Sequence, residues 1–250
     1  MLNTWTKGKI TVSVASAKPK PAARPNNQLP LIIGAIVGVA AIAVLVLIAL
    51  SGQGGESFSY DTFSPSHAGD GGFMLGDPNA PVTIIEFADY ACPACQQYHP
   101  EMTQFISEFV GAGKAAFEYR VFPTAGQQRT VFAGEIAACM GEENPLYFWT
   151  ALGRFTTLAQ QGRYDDAPRI IAQELGLNYA DLLSCQQTST YVDESVSLGE
   201  QLRVSGTPAV RIRYGDSTPT VVSWGGQTYD RGGVPLDVLR QVVNAAQPTS

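Results

Sequence analysis

The stretch Phe87-Ala88-Asp89-Tyr90-Ala91-Cys92-Pro93-Ala94-Cys95 constrains the fold most, because an apolar, β-branched run stops there, two cysteines fall three apart, and helical periodicity begins. Val82, Ile84, Ile85 and Phe87 have the composition of a short buried strand. Proline is tolerated in the first turn of a helix, where its missing N–H has no partner anyway, so Pro93 marks a helix start and leaves Cys92 at the N-cap. A sulfur there faces free backbone N–H groups and the positive end of the helix dipole, both of which favour a thiolate. Cys95 lies one turn further in, close enough to close a small disulfide with Cys92. The pattern reads as a redox site. Zinc is the competing reading, but it needs a second ligand pair at similar spacing. Cys139 and Cys185 stand far apart in the sequence, and His67 and His99 have no neighbouring ligand.

Charge divides the chain. Residues 1–50 carry five basic side chains (Lys7, Lys9, Lys18, Lys20, Arg24) and no acid; the rest carries 11 basic against 22 acidic residues, a net charge of −11. An acidic body repels a phosphate backbone, which argues against nucleic-acid binding. Leu31 to Leu50 is an uncharged run of 20 residues, and at about 1.5 Å per residue it spans the roughly 30 Å hydrocarbon core of a bilayer. Basic residues before it orient the N-terminus to the cytoplasm and the body outside. A cleaved signal peptide is the alternative, but the apolar run is longer than the usual signal core and Ala49-Leu50-Ser51 is a poor cleavage site. The expected organisation is a disordered cytoplasmic tail over 1–28, a transmembrane helix over 29–50, a flexible Gly/Ser linker over 51–72 and a folded extracytoplasmic domain over 73–250. At 45% hydrophobic and 15% charged over 250 residues, the chain can bury one sizeable core beside these appendages.

Within the domain, Tyr98, Met102, Phe105, Ile106 and Phe109 share one helical face after Cys95, and Gly111 and Gly113 end the helix. Pro100 interrupts it and should kink it. Ala115 to Val121 reads as a second strand. Between about Gln127 and Arg203 the pattern is helical, in segments near 131–140, 146–159, 168–175, 179–185 and 191–202. Ala209 to Tyr214 and Thr220 to Trp224 read as a hairpin about Gly215-Asp216, and Val234 to Ala246 as a terminal helix. The order β, α, β, helical block, β, β, α is that of an α/β thioredoxin-like sheet carrying an all-helical insertion over about 127–203.

Over roughly residues 73–247 the sequence resembles the DsbA-like thiol-disulfide oxidoreductases. The phrase Glu86-Phe87-Ala88-Asp89-Tyr90-Ala91-Cys92-Pro93-Ala94-Cys95, the later Val204-Ser205-Gly206-Thr207-Pro208 and Pro100 match the family in kind and order. The resemblance implies that Pro208 is a cis-proline beside the active-site pair, with Thr207 offering backbone groups to an extended substrate and Pro93 and Ala94 flanking the same surface. Many relatives also carry a structural disulfide in the helical insertion, in settings like those of Cys139 and Cys185, as an even cysteine count in an extracytoplasmic domain suggests. Glu86 is expected to point inward from its strand and to relay a proton to or from Cys95. Asp89 is expected only to shape the turn, His99 to sit on the helix surface, and Tyr147, Phe148, Trp149, Leu152 and Phe155 to form core.

The implied activity is oxidation of thiols in exported proteins by the Cys92–Cys95 disulfide, with reoxidation by a membrane quinone-linked partner of the DsbB or vitamin-K-epoxide-reductase kind. Exchange between sulfurs calls for neither a cofactor nor a metal. A membrane-tethered reductase or isomerase of the same fold, or a redox-inactive peptide-binding module, are the alternatives left by the residues themselves.

Overall fold

The computed structural model describes residues 58–247. The expected tail, the expected membrane span and the first part of the expected linker lie outside these residues. Among the described residues no helix is long and apolar enough to cross a membrane.

Among the described residues, seven strands form one sheet: β1 (Pro65–His67), β2 (Phe73–Leu75), β3 (Val82–Ala88), β4 (Ala116–Val121), β5 (Ala209–Tyr214), β6 (Thr220–Trp224) and β7 (Gln227–Tyr229), in the spatial order β1-β2-β4-β3-β5-β6-β7. β3 and β4 run parallel at the centre, β5 is antiparallel to β3, and β2 is antiparallel to β4. Every residue of β3 and β4 is buried, as parallel strands covered on both faces must be. That is why β3 reads as a nearly unbroken apolar run and why Glu86 within it stands out.

Helix α1 (Pro93–Phe105) follows β3, keeps Pro100 inside it, and passes into a π-helical turn at Ile106–Val110 before Gly111. Pro100 has no N–H to give the carbonyl of Gln96, four residues earlier. The insertion between β4 and β5 holds α2 (Gln128–Glu143), α3 (Pro145–Gln160), α4 (Ala167–Glu174), α5 (Tyr179–Gln186) and α6 (Tyr191–Gln201); α7 (Leu236–Ala245) closes the domain. Asn144 and Asn178 start α3 and α5 by accepting the N–H groups of Leu146 and Ala180 at 3.0 Å, the ordinary way of satisfying a helix end. Alternation along β3 sends Val82, Ile84 and Ala88 into the core shared with α1 and the insertion, while Ile85 and Phe87 pack with Val204, Ala209, Leu198 and Leu202 on the other face.

Two expectations need correction. The flexible linker does not extend through residue 72: Phe58 stacks on Phe63 with ring centroids 5.5 Å apart, Tyr60 is buried against Trp149 at 5.6 Å, and β1 pairs with β2 across the turn at Ala68–Gly72. Three aromatic rings, each able to bury roughly 150–250 Å², hold this segment down despite its glycines and serines. His99 is also not a surface residue. It is partly buried and lines a small cavity described below. Of the aromatic and leucine residues expected in the core of α3, Phe148, Trp149, Leu152 and Phe155 are buried and Tyr147 packs against them, partly exposed.

Candidate active site

The junction of β3 with α1 sets the two cysteines. Cys92 is the N-cap of α1, in extended conformation at φ −77° and ψ 118°, and its side chain makes no capping hydrogen bond to the helix. Its N–H donates to the Asp89 carbonyl at 3.0 Å and its own carbonyl accepts from Gln96 at 3.1 Å. Cys92 therefore holds the N-cap position, but its sulfur accepts no hydrogen bond from the first helical N–H groups and turns to the loop before β5. Cys95, one turn on, is enclosed by the strand below it. Both sulfurs are free thiols, so the structure is that of the dithiol form. At 8% and 6% exposure the two residues differ little in accessibility; what separates them is their surroundings.

Around Cys92 lie the exposed Pro93 and Ala94 and the loop before β5. The Thr207–Pro208 peptide is cis, and the Cys92 thiol donates to the Thr207 carbonyl oxygen at 3.5 Å. Around Cys95 lies Glu86 of β3, 4% exposed and lining one cavity with Cys95, Gln96 and His99 of α1. Burial disfavours the charged carboxylate and pushes the Glu86 pKa up from 4.5 to about 8. At neutral pH it is therefore mainly the protonated acid. The Cys95 thiol is also pushed up, first by burial and then by Glu86 and Cys92, while the Asp89 main chain and the Thr207 side chain work in the opposite direction. A cavity of about 10 Å³, the space needed by the centre of one water molecule, is lined by Glu86, Cys95, Gln96, His99, Thr156 and neighbouring residues. His99 has its pKa lowered by burial, so its imidazole is neutral there.

Thus Glu86, Cys92, Pro93, Ala94, Cys95, Thr207 and Pro208 come together from β3, the first turn of α1 and the loop before β5. Cys139 and Cys185 do not join them. They are bonded to each other, with Cα atoms 6.0 Å apart, and tie α2 to α5 inside the helical insertion. Asp89 does more than shape a turn: its fully buried carboxylate accepts hydrogen bonds from Ala91, Thr124, Ala125, Gly126 and Thr130. The residues 124–130 carried no chemical signal in the sequence, since the donors are mostly main-chain N–H groups.

The thioredoxin family model matches residues 69–216, a span that begins between β1 and β2, contains both cysteines of the site and ends just past β5. The chain belongs to that family. Over 209 residues, 76% of the chain and 89% of the relative, it is 23% identical to the probable disulfide bond formation protein D of Bacillus anthracis. The disulfide bond formation protein D of Bacillus subtilis is 32% identical over 79 residues, 30% of this chain and 34% of that protein. Among solved structures, alpha-DsbA1 of Wolbachia pipientis superposes with a TM-score of 0.56 at 21% identity, covering 69% of this chain and 89% of that one. DsbA2 of Pseudomonas aeruginosa does so at 0.52 and 17%, covering 70% and 93%. These likenesses establish the α/β thioredoxin fold with its helical insertion. With the paired cysteines at the head of α1, the chain is a DsbA-like thiol-disulfide oxidoreductase.

Proposed function

We propose that the chain works as an extracytoplasmic oxidase, passing a Cys92–Cys95 disulfide to exported proteins as they fold. The observation that carries this reading is the contrast between the sulfurs. Cys92 holds the N-cap position of α1 and donates to the Thr207 carbonyl, whereas Cys95, one turn on, shares a cavity with a protonated Glu86. A substrate thiolate attacks the Cys92 sulfur and forms a mixed disulfide, while the electron pair of the broken bond leaves on Cys95. Glu86 supplies the proton that Cys95 takes up, because the buried Cys95 thiolate is the stronger base of the two. A second substrate thiolate then attacks the substrate sulfur, and Cys92 leaves as a thiolate at the head of α1. Thr207 and Pro208 hold the substrate strand, and Pro93 and Ala94 form the exposed surface on which it lies.

The bonded Cys139–Cys185 pair supports an oxidising compartment, and the basic N-terminus with its 20-residue apolar run supports a membrane anchor. Its Bacillus relatives are named for disulfide bond formation. Reoxidation falls to a quinone-linked membrane oxidase of the DsbB or vitamin-K-epoxide-reductase kind, which an anchored domain meets in one membrane. Trapping tests the assignment of roles. Cys95→Ser should accumulate mixed disulfides with client proteins whose own disulfides its Cys92 thiolate attacks, because no Cys95 remains to resolve them, and Cys92→Ser should not; equal trapping by the two variants would remove the distinction on which the reading rests.

A further inference from the structure

We propose that Thr124 is a positioning residue of the exchange site: its hydroxyl, set in place by the loop that Asp89 pins, orients the Thr207 hydroxyl toward the sulfur of Cys95. This rests on the oxidoreductase reading above and adds a residue to it.

The loop between β4 and α2 is folded around the Asp89 carboxylate. Oδ2 accepts the consecutive N–H groups of Thr124, Ala125 and Gly126 at 2.7, 2.7 and 3.0 Å, and Oδ1 accepts from the Ala91 N–H at 2.8 Å and from the Thr130 hydroxyl. Three successive N–H groups converging on one oxygen form a nest, here filled by a side chain of the active-site turn itself. Gly126 is required by the closeness of this wrap, since a Cβ there would fall on Thr130 Oγ1 and only 2.8 Å from Ala91 Cβ. The next residue, Gln127, holds a left-handed backbone at φ 48°. Such strain persists only where the surroundings over-determine it.

The outcome of this pinning is one short contact, Thr124 Oγ1 to Thr207 Oγ1 at 2.5 Å, in which either hydroxyl can donate. Thr207 is the residue that meets both cysteines: its carbonyl accepts from Cys92 at 3.5 Å, and its side chain acts on Cys95 in the sense that favours the thiolate. The hydroxyl pair thus has two senses. In one, Thr207 donates to Thr124, and Thr124 donates to Asp89 Oδ2 over a long 3.4 Å. In the other, Thr124 donates to Thr207, and the Thr207 proton turns to Cys95. The switch costs little because Oδ2 already holds three N–H donors and loses only the long fourth. When a thiolate opens the disulfide at Cys92, the bond's electron pair moves to the Cys95 sulfur, and the second sense meets it with an O–H donor already polarised by Thr124. Once that sulfur is protonated the pair reverts.

The test uses the full oxidised chain in mild detergent and follows opening of its Cys92–Cys95 disulfide by dithiothreitol. Thr124→Val should open about three- to tenfold more slowly than wild type, the size of one net hydrogen bond, and Thr124→Ser should return to within about twofold. A wild-type rate for Thr124→Val overturns the proposal, and so does a Thr124→Ser rate as slow as that of Val, which would assign the effect to the methyl group. If Thr124→Val does not fold, nuclear magnetic resonance of the wild-type chain decides. A protected hydroxyl proton on Thr124 or Thr207 that shifts between dithiol and disulfide forms supports the switch; its absence from both forms overturns it. A wild-type chain that dithiothreitol opens but that leaves reduced client proteins unoxidised refutes the oxidase reading and leaves this rate comparison intact.

Discussion

Glu86→Gln should convert a pH-dependent weakness of the domain into a pH-independent one. The Glu86 carboxyl is 4% exposed, and burial raises its pKa from 4.5 to about 8. Below pH 4.5 the acid is protonated in the folded and the unfolded chain, and it contributes nothing to the slope of stability with pH. Between 4.5 and 8 the unfolded chain releases a proton that the folded chain retains, so stability falls by about 1.4 kcal/mol per pH unit. The loss reaches about 3 kcal/mol by pH 7 and about 4 kcal/mol by pH 8, and levels off near about 5 kcal/mol by pH 9, where both states are ionised and the slope vanishes. Glutamine has nearly the same shape and no proton to release. The assay is urea unfolding of the full chain in mild detergent from pH 4 to 9, in a Cys92→Ala, Cys95→Ala background that removes the thiol titrations. The stability of Glu86→Gln minus that of Glu86 should rise across this window by those amounts. Two curves that stay parallel between pH 4.5 and 8 would refute a buried, protonated Glu86 and with it the proton supply to Cys95.

Two further outcomes follow from the same geometry. The Cys139–Cys185 bond should survive mild reductant that opens Cys92–Cys95, as differential alkylation and mass mapping would show. Replacing both with alanine should cost about 4 kcal/mol in unfolding free energy, the chain-entropy value for a closed loop of 46 residues, and free thiols at both positions in the native protein would contradict a structural role. Gly126→Ala should destabilise the domain by about 1–3 kcal/mol, since the added methyl meets Thr130 and Ala91 with no room to move; an unchanged urea midpoint would show that the wrap around Asp89 is looser than described.

The features that could be read from the sequence are those whose cause is local. Burial on both faces leaves an unbroken apolar signature in Val82–Ala88, and a proline one residue after a cysteine announces both a helix start and an N-cap sulfur, so β3, α1 and the cysteine pair were all legible. Glu86 was legible for the same reason, as the one acid in that strand. β1 and β2 were not. They have three residues each and lie in a glycine- and serine-rich stretch whose order comes from Phe58, Tyr60 and Phe63 reaching a distant core. Asp89 and Thr124 escaped for another reason: apart from the Ala91 N–H two positions from Asp89, their partners are 35 or more positions away, and most are main-chain N–H groups, which every residue but proline carries. His99 follows Tyr98 on α1 by a single residue, a rotation of about 100°, which puts it at the border between the buried face and the exposed one. Periodicity assigned it to the outside; the cavity beneath Cys95 places it at the edge of the chemistry.

The reduction potential of the Cys92–Cys95 pair tests the oxidase reading most directly. Equilibration of the full chain with defined ratios of reduced and oxidised glutathione, followed by alkylation and mass analysis of the two cysteines, gives it in one titration. A donor of disulfides should lie above about −180 mV, at or beyond the potential of protein disulfide isomerase and toward the roughly −120 mV of DsbA. A value near the roughly −270 mV of thioredoxin would make the chain a reductant in the same fold and contradict the proposed direction of exchange.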